Sequence, residues 1–290
     1  MRRMILPHGD AKRLALLPPP ALAGIVRYFH IERGSGGEVL VPATPCPEIT
    51  FFIAGGSRPM LGAHPGPLMD RPMLGGPQTV PALVRWEPGT TFISALIEPG
   101  QFGRLFDADL VELRNFPVLV AEYLPHLPTR ELEDGLRASA DPGQWLALLS
   151  GWLLGLLAQR AGRIRPAFAL PAGMLFQPAE EVARRCGLSL RQLERGMLAS
   201  YGQSLRDERK MRRYVRALSM MLSLPPRRGL LTRIAMDCGY HDQAHMIRDF
   251  IHFTGRRPGS LLALEGAEEE GLLRLFRYDD PHRQVVAGQA

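Results

Sequence analysis

A six-residue pattern that occurs twice constrains this chain more than any other feature of its sequence. Val182-Ala183-x-x-Cys186-Gly187 returns 52 residues later, counted from Gly187 to Gly239, as Ile234-Ala235-x-x-Cys238-Gly239. In each copy closely spaced apolar residues set one face of a short helix against a core, and a glycine that tolerates positive φ ends it in a tight turn. A helix-starting residue follows each glycine. Ser189 and Gln192 form a capping box, and Asp242 caps the second copy after a turn one residue longer. Two helix-turn-helix units in tandem are the expected result.

The second helix of each unit has two distinct faces. Plotted at 100° per residue, Met246, Phe250 and Phe253 fall within about 60° of one another and make the core face. Gln243, Ala244, Ile247, Arg248 and Ile251 stand opposite, and the helix stops near Gly255. In the first unit Leu190, Leu193 and Met197 are expected to point inward. Arg191 and Arg195 point away, with Gln192 and Glu194 beside them. Forked cations and two-way amides on an outward helix face suit base edges in a DNA major groove.

The candidate DNA-binding residues are therefore Arg191, Gln192, Glu194, Arg195, Gln243, Ala244, Ile247 and Arg248. Several have an alternative role. Arg195 and Arg248 are also suited to surface salt bridges or phosphate contacts, and Glu194 to pairing with Arg191 or accepting from a cytosine amine. Gln192 is first of all the cap partner of Ser189. Ile247 and Ile251 suit thymine methyl groups, whereas His245 on the flank suits a structural or phosphate hydrogen bond.

Charge is concentrated where the repeat lies. Residues 160–262 hold 19 Arg and Lys against 8 Asp and Glu, a net +11, while residues 1–159 carry −2 and residues 263–290 carry −3. A basic surface of this kind neutralises phosphates and releases their counterions. Between the two units, Ser204 to Leu222 reads as a basic amphipathic helix with Leu205, Met211, Val215, Leu218 and Leu222 on its inner side. Such a helix of about 18 residues is about 27 Å long. That helps separate two recognition helices by about one turn of B-DNA. Arg206, Arg209, Lys210, Arg212, Arg213 and Arg216 cover its polar side, where some are expected to meet phosphates.

The other half of the chain reads differently. Val39–Val41, Ile49–Ile53, Thr79–Val80, Leu83–Trp86 and Thr90–Ile97 look like strands bounded by Gly and Pro turn signals, and residues 55–77 like a set of loops. Helices are expected at 103–107, 117–124, 129–139 and 143–161. The last carries Trp145, Leu149, Trp152, Leu153, Leu156 and Leu157, and core packing is preferred over dimerisation for it. Gly162, Pro166, Pro171 and Gly173 mark a linker, and the acidic run from Glu265 opens a C-terminal tail. The expected architecture is multidomain α+β. A β-rich sandwich or barrel-like domain (1–115) is followed by a helical connector (116–162), an all-α domain with two helix-turn-helix motifs joined by a long helix (163–265), and a tail (266–290).

Catalytic chemistry has few candidates. No nucleophile elbow, phosphate-cradling glycine loop, catalytic carboxylate pair or zinc-protease motif is present, so neither catalytic residues nor cofactors are expected. His30-x-Glu32 and His64 lack a third metal ligand at convincing spacing. Cys46, Cys186 and Cys238 are far apart and look like small buried residues in a reducing compartment; nothing basic adjoins Cys46 in sequence. The start of the chain shows no secretion signal, and the apolar run Trp145–Ala158 is too short for a membrane span. A cytoplasmic protein without a membrane partner is expected.

Residues 178–262 resemble the DNA-binding domain of AraC/XylS-type transcriptional regulators. The resemblance rests on Leu188-Ser-Leu-Arg-Gln-Leu-Glu-Arg195, on Tyr201-Gly202, on the Arg-rich central helix with Ala217-Leu218, and on Ile234-Ala235-x-x-Cys238-Gly239-Tyr240-x-Asp242-Gln243-x-His245-x-x-Arg248-x-Phe250 with Thr254-Gly255 and Pro258. Gly75 to Thr79 and Phe92 to Gly100 look like the β-rich domain attached to one subgroup. The resemblance implies double-stranded operator DNA as the partner, with RNA polymerase, a small-molecule effector and a second copy of the chain as further partners. Two departures stand in the first recognition helix. Met197 replaces an aromatic, and Gly196 replaces a larger residue at a cost of about 0.5–1 kcal/mol relative to Ala, which predicts a less rigid helix. The alternative reading is a DNA-binding protein whose N-terminal domain has an enzymatic or DNA-repair activity, for which Cys46 is the candidate.

Overall fold

A computed structural model of the protein describes residues 13–34, 36–161, 168–171, 173–225 and 227–263. The expectations for the first residues, for the linker from Gly162 to Ala167 and for the acidic run from Glu265 fall outside that set, as does the side chain of Leu222.

Two antiparallel sheets occupy the N-terminal half. One contains, in spatial order, β1 (Arg13–Leu16), β2 (Val26–Arg33), β9 (Thr91–Ile97), β4 (Glu48–Ala54), β7 (Met73–Gly75) and β10 (Val118–Leu119). The other contains β3 (Gly37–Val41), β8 (Ala82–Trp86), β5 (Ser57–Leu61) and β6 (His64–Pro65). Strand periodicity then divides the larger sheet into two unlike faces. Phe29, Ile31, Ile49, Phe51, Ile93 and Ala95 point to one side, where they share a core with helices α2 (Arg130–Arg137) and α3 (Pro142–Arg160). The opposite side of the same strands carries Tyr28, His30, Glu32, Glu48, Thr50 and Ser94. A small cluster, Val39, Phe52, Trp86 and Phe92, with Val41, Met73 and Val84 packed against it, joins the two sheets through apolar contact.

The main core of this half therefore lies between a sheet and helices. Trp145, Leu149 and Leu153 of α3 are buried within it, so core packing accounts for the apolar character of that helix. The indole N–H of Trp145 donates to the carbonyls of Leu136 and Ser139, both at 3.0 Å, which ties the start of α3 to the end of α2.

Several expectations need correction. Thr79–Val80 is not a strand: Thr79 gives both its backbone N–H (2.6 Å) and its hydroxyl (3.1 Å) to the Asn115 side-chain oxygen, and Pro81 has no N–H for a ladder. Residues 55–77 are not only loops, since β5, β6 and β7 lie there; Pro59 and Pro65 hide the period-two pattern. The helix expected at 103–107 is a 3-10 turn at Phe102–Arg104. That expected at 117–124 begins as β10, because Val118 and Leu119 pair with Leu74 and Met73, and leaves one helical turn, α1 (Val120–Tyr123).

Among the described residues six helices follow: α4 (Ala179–Arg185), α5 (Leu190–Tyr201), α6 (Leu205–Ser223), α7 (Leu230–Asp237), α8 (Gln243–Thr254) and α9 (Pro258–Ala263). α4 and α5 enclose a core of Val182, Ala183, Leu193, Met197 and Tyr201. α6, α7 and α8 enclose a second, built on Tyr214, Ile234, Met246, Phe250 and Phe253. Tyr214, in the middle of a basic run, is the large side chain that the sequence pattern did not disclose. Its ring stacks on Phe253 at 4.7 Å and meets Phe250 edge-on at 5.3 Å. The β-rich half docks on both units. Ala43 N–H donates to the Phe253 carbonyl at 2.8 Å, and the chain at Gly202 lies against Leu110 and Pro77.

Candidate nucleic-acid interface

The two turns have the same hydrogen-bond pattern. Gly187 (φ 66°) donates to the Arg184 carbonyl and Leu188 to that of Ala183; Gly239 (φ 75°) donates to Met236 and Tyr240 to Ala235. These paired bonds satisfy the last carbonyls of α4 and α7 and set the angle at which α5 and α8 leave. Ser189 and Gln192 form the reciprocal capping box at 2.8 and 3.3 Å, and the Asp242 carboxylate accepts from His245 N–H at 2.6 Å. That backbone bond, with the His241 side chain second, holds the Asp242 carboxyl below the usual carboxylate range.

On α5, Arg191, Glu194 and Arg195 are exposed, and among the described residues none has a hydrogen-bond or ion-pair partner. Gln192 is exposed too, but its amide oxygen serves the cap, leaving its NH2 as the group able to read a base. Leu190 departs from expectation. It shares an azimuth with Leu193 and Met197 yet is 48% exposed, because the buried face runs out in the first turn. On α8, Ala244 and Arg248 are exposed and Ile247 is half-buried; Arg248 has no hydrogen-bond or ion-pair partner among the described residues, although its charge also acts on Asp242. The Gln243 amide oxygen accepts from the Thr232 hydroxyl at 2.9 Å, which orients it from α7. His245 packs edge-on against Tyr240 at 5.2 Å.

The six cations of α6 separate into two groups. Arg209 donates to the carbonyls of Leu175 (2.5 Å) and Gln177, bracing the segment that leads into α4. Arg212 pairs with the buried Glu208 at 2.6 Å, Lys210 sits 3.6 Å from the buried Asp249, and Arg213 lies over the Tyr240 ring at 5.6 Å. These four hold the domain together. Arg206 and Arg216 are exposed.

Gly196 also has a structural explanation. A Cβ there would meet the Phe168 ring at 3.1–3.2 Å, so the glycine makes room for an aromatic from the preceding segment.

A cavity of about 190 Å³ opens between the polar side of the larger sheet, β3 and α6; Tyr28, Cys46, Glu48, Trp86, Val215 and Leu218 are among its walls. Arg27 and Arg212 act electrostatically on Cys46 although neither adjoins it in sequence, but burial prevails and pushes the thiol up to about 11. Cys46 is thus a neutral thiol at physiological pH, not a ready nucleophile. Cys186 is only half-buried, and Cys238 is buried. His30 Nε2 lies 3.3 Å from Glu32, and no group of three or more potential metal ligands gathers among the described residues. No helix among those residues is long and apolar enough to cross a membrane.

Two helix-turn-helix units with outward cations on both second helices define a DNA-binding protein. Residues 182–263 match the family model of a helix-turn-helix domain, of the AraC type. Comparison with curated protein sequences finds no match. Solved structures of ToxT from Vibrio cholerae are similar over most of the chain. One at 1.65 Å resolution is 9% identical with a TM-score of 0.46, covering 81% of this chain and 97% of that chain. Another, bound to an unsaturated fatty acid, is 11% identical with a TM-score of 0.44, covering 83% and 98%. A likeness of that strength transfers neither site nor ligand.

Proposed function

We propose that the protein regulates transcription by placing α5 and α8 in successive major grooves of double-stranded operator DNA, reading bases with Arg191, Glu194, Arg195, Ala244, Ile247 and Arg248. Gln243 takes part through its NH2 group, and Gln192 chiefly as a cap. The observation that carries this reading is that Arg191, Arg195 and Arg248 stand outward with no hydrogen-bond or ion-pair partner among the described residues, whereas the α6 cations Arg209, Lys210, Arg212 and Arg213 are engaged inside the fold. Unpaired forked cations on two repeated helices suit bidentate contacts to guanine.

The functional division follows: residues 1–115 respond to an effector or mediate dimerisation, 116–162 connect, 163–265 bind DNA and 266–290 form a tail. A small-molecule effector, a second copy of the chain and RNA polymerase are the further partners of this reading. Selection of bound sequences from a random DNA pool, followed by footprinting, tests it. The expected motif has two blocks about 10–10.5 bp apart, centre to centre. Enrichment of a single block, or of none, overturns the bipartite mode.

A further inference from the structure

We propose that the cavity beside α6 binds a small molecule with a cationic amine or amidine on an apolar body, and that the Glu48 carboxylate is its counter-ion. The register of the larger sheet places three cross-strand rows on its polar face. Tyr28, Leu96 and Glu48 make the first, Ala15, His30, Ser94 and Thr50 the second, and Arg13, Glu32, Phe92 and Phe52 the third. Folding alone gives no reason for such a face to be polar, since a buried polar group costs free energy unless it is partnered.

Most of these groups are partnered within the fold. Arg13 pairs with Glu32, which His30 also approaches, and Thr50 bonds Ser94 at 2.6 Å. Arg27, at the rim, faces Glu98 at 3.9 Å. Glu48 and the Tyr28 hydroxyl are the exceptions. Both line the cavity, they flank Leu96 in the first row, and among the described residues neither has a hydrogen-bond or ion-pair partner. Strands two apart in a sheet are separated by about 9–10 Å, leaving space for one ligand head group between an acceptor carboxylate and a phenol.

Charge decides the ligand class. The cavity's arginines are already matched by Glu32 and Glu98, so an anionic ligand would add a second negative charge beside Glu48 without a free cation to receive it. A cation completes the account. Val39, Val41, Leu96, Trp86, Val215 and Leu218 make much of the remaining wall apolar, with Thr44 and Ser219 as polar neighbours, and about 190 Å³ holds a body the size of one substituted ring.

The occupant would also touch the DNA-binding part. Val215, Leu218 and Ser219 belong to α6, and the lining loop that contains Ala43 is hydrogen-bonded to the Phe253 carbonyl in the last turn of α8. This regulatory consequence rests on the reading of the chain as a DNA-binding regulator; the ligand class does not.

Titration calorimetry and thermal melts on the full chain at pH 8, with benzylamine, benzamidine, benzyl alcohol and benzoate as probes, test the proposal. The expected result is that one or both cations bind and raise Tm while benzoate and benzyl alcohol do not. Glu48→Gln, which keeps shape, should weaken the cation at least about tenfold, and Tyr28→Phe should weaken it less. Binding of benzoate or benzyl alcohol as tight as that of the cations, an unchanged affinity in folded Glu48→Gln, or no binding by either cation overturns it. Cation binding by a protein that selects no DNA motif would sink the regulator reading alone; a selected motif without cation binding would sink the ligand class alone.

Discussion

The ring of Phe168 rests on Gly196. Its Cδ1 lies 3.1 Å from where a Cβ would stand, in the interior of the first recognition helix. Glycine there gives up about 0.5–1 kcal/mol of helix propensity relative to Ala, and the space it leaves holds the aromatic against α5. The two positions should therefore be coupled. Gly196→Ala is expected to be neutral or destabilising in the native background but to stabilise by about 0.5–1 kcal/mol once Phe168→Ala has removed the ring. Urea unfolding of the four proteins measures this, and equal effects in both backgrounds would sink the idea.

Gly187 and Gly202 separate the strain of a left-handed residue from the contact between the two halves. Both have φ of 66°, yet a Cβ at Gly187 meets open space, whereas at Gly202 it comes within 2.8 Å of the Leu110 carbonyl and 2.9 Å of Pro77. Gly187→Ala should cost about 1–2 kcal/mol, the left-handed penalty alone. Gly202→Ala should cost visibly more, because backbone of the β-rich half must move. Thermal melts compare the two, and limited proteolysis should find the 202 variant the easier to cut between its halves. Similar costs would mean that the contact at Leu110 gives way freely.

Arg195→Ala and Arg248→Ala should each weaken specific DNA binding by about 1–3 kcal/mol and leave most of the non-specific binding intact. Competition binding on the selected site and on random DNA checks the distinction. Equal loss on both would make the two residues phosphate contacts.

What was legible in the sequence differs between the halves for a physical reason. The helical half was read from residues whose local role is obligatory: Gly187 and Gly239 at positive φ, Ser189 and Asp242 as caps, Met246, Phe250 and Phe253 on one face. Tyr214 was hidden because its neighbours in sequence, Arg212, Arg213 and Arg216, dominate the pattern, although it is one of the largest buried side chains. The β-rich half was harder. β2 alternates apolar and polar residues, as an exposed strand would, but its polar side faces the cavity, so the alternation did not reveal which face the core takes. The isolation of Glu48 depends on pairing between distant strands and has no local signature.

Glu48 makes a pH-dependent prediction that does not need a ligand. Burial pushes its carboxyl from 4.5 up to about 7, with Tyr28, Cys46 and Arg27 as neighbours around the cavity. The folded state thus holds a proton that the unfolded chain releases near 4.5, so stability falls as pH rises between those values, and the penalty is fully present above about 7. Glu32 has the opposite sense. Burial would raise it, but its hydrogen bonds with His30 and Arg13 prevail and lower it to about 2, so its contribution is lost only as pH falls below 4.5. Between pH 5 and 8, then, Glu48 alone of these two titrates. Glu48→Gln should be more stable than the native protein at pH 8 by on the order of 1–3 kcal/mol, with the difference shrinking toward pH 5. Urea unfolding of both proteins at the two pH values decides it, and parallel pH profiles would show that Glu48 is ionised as readily in the fold as in water.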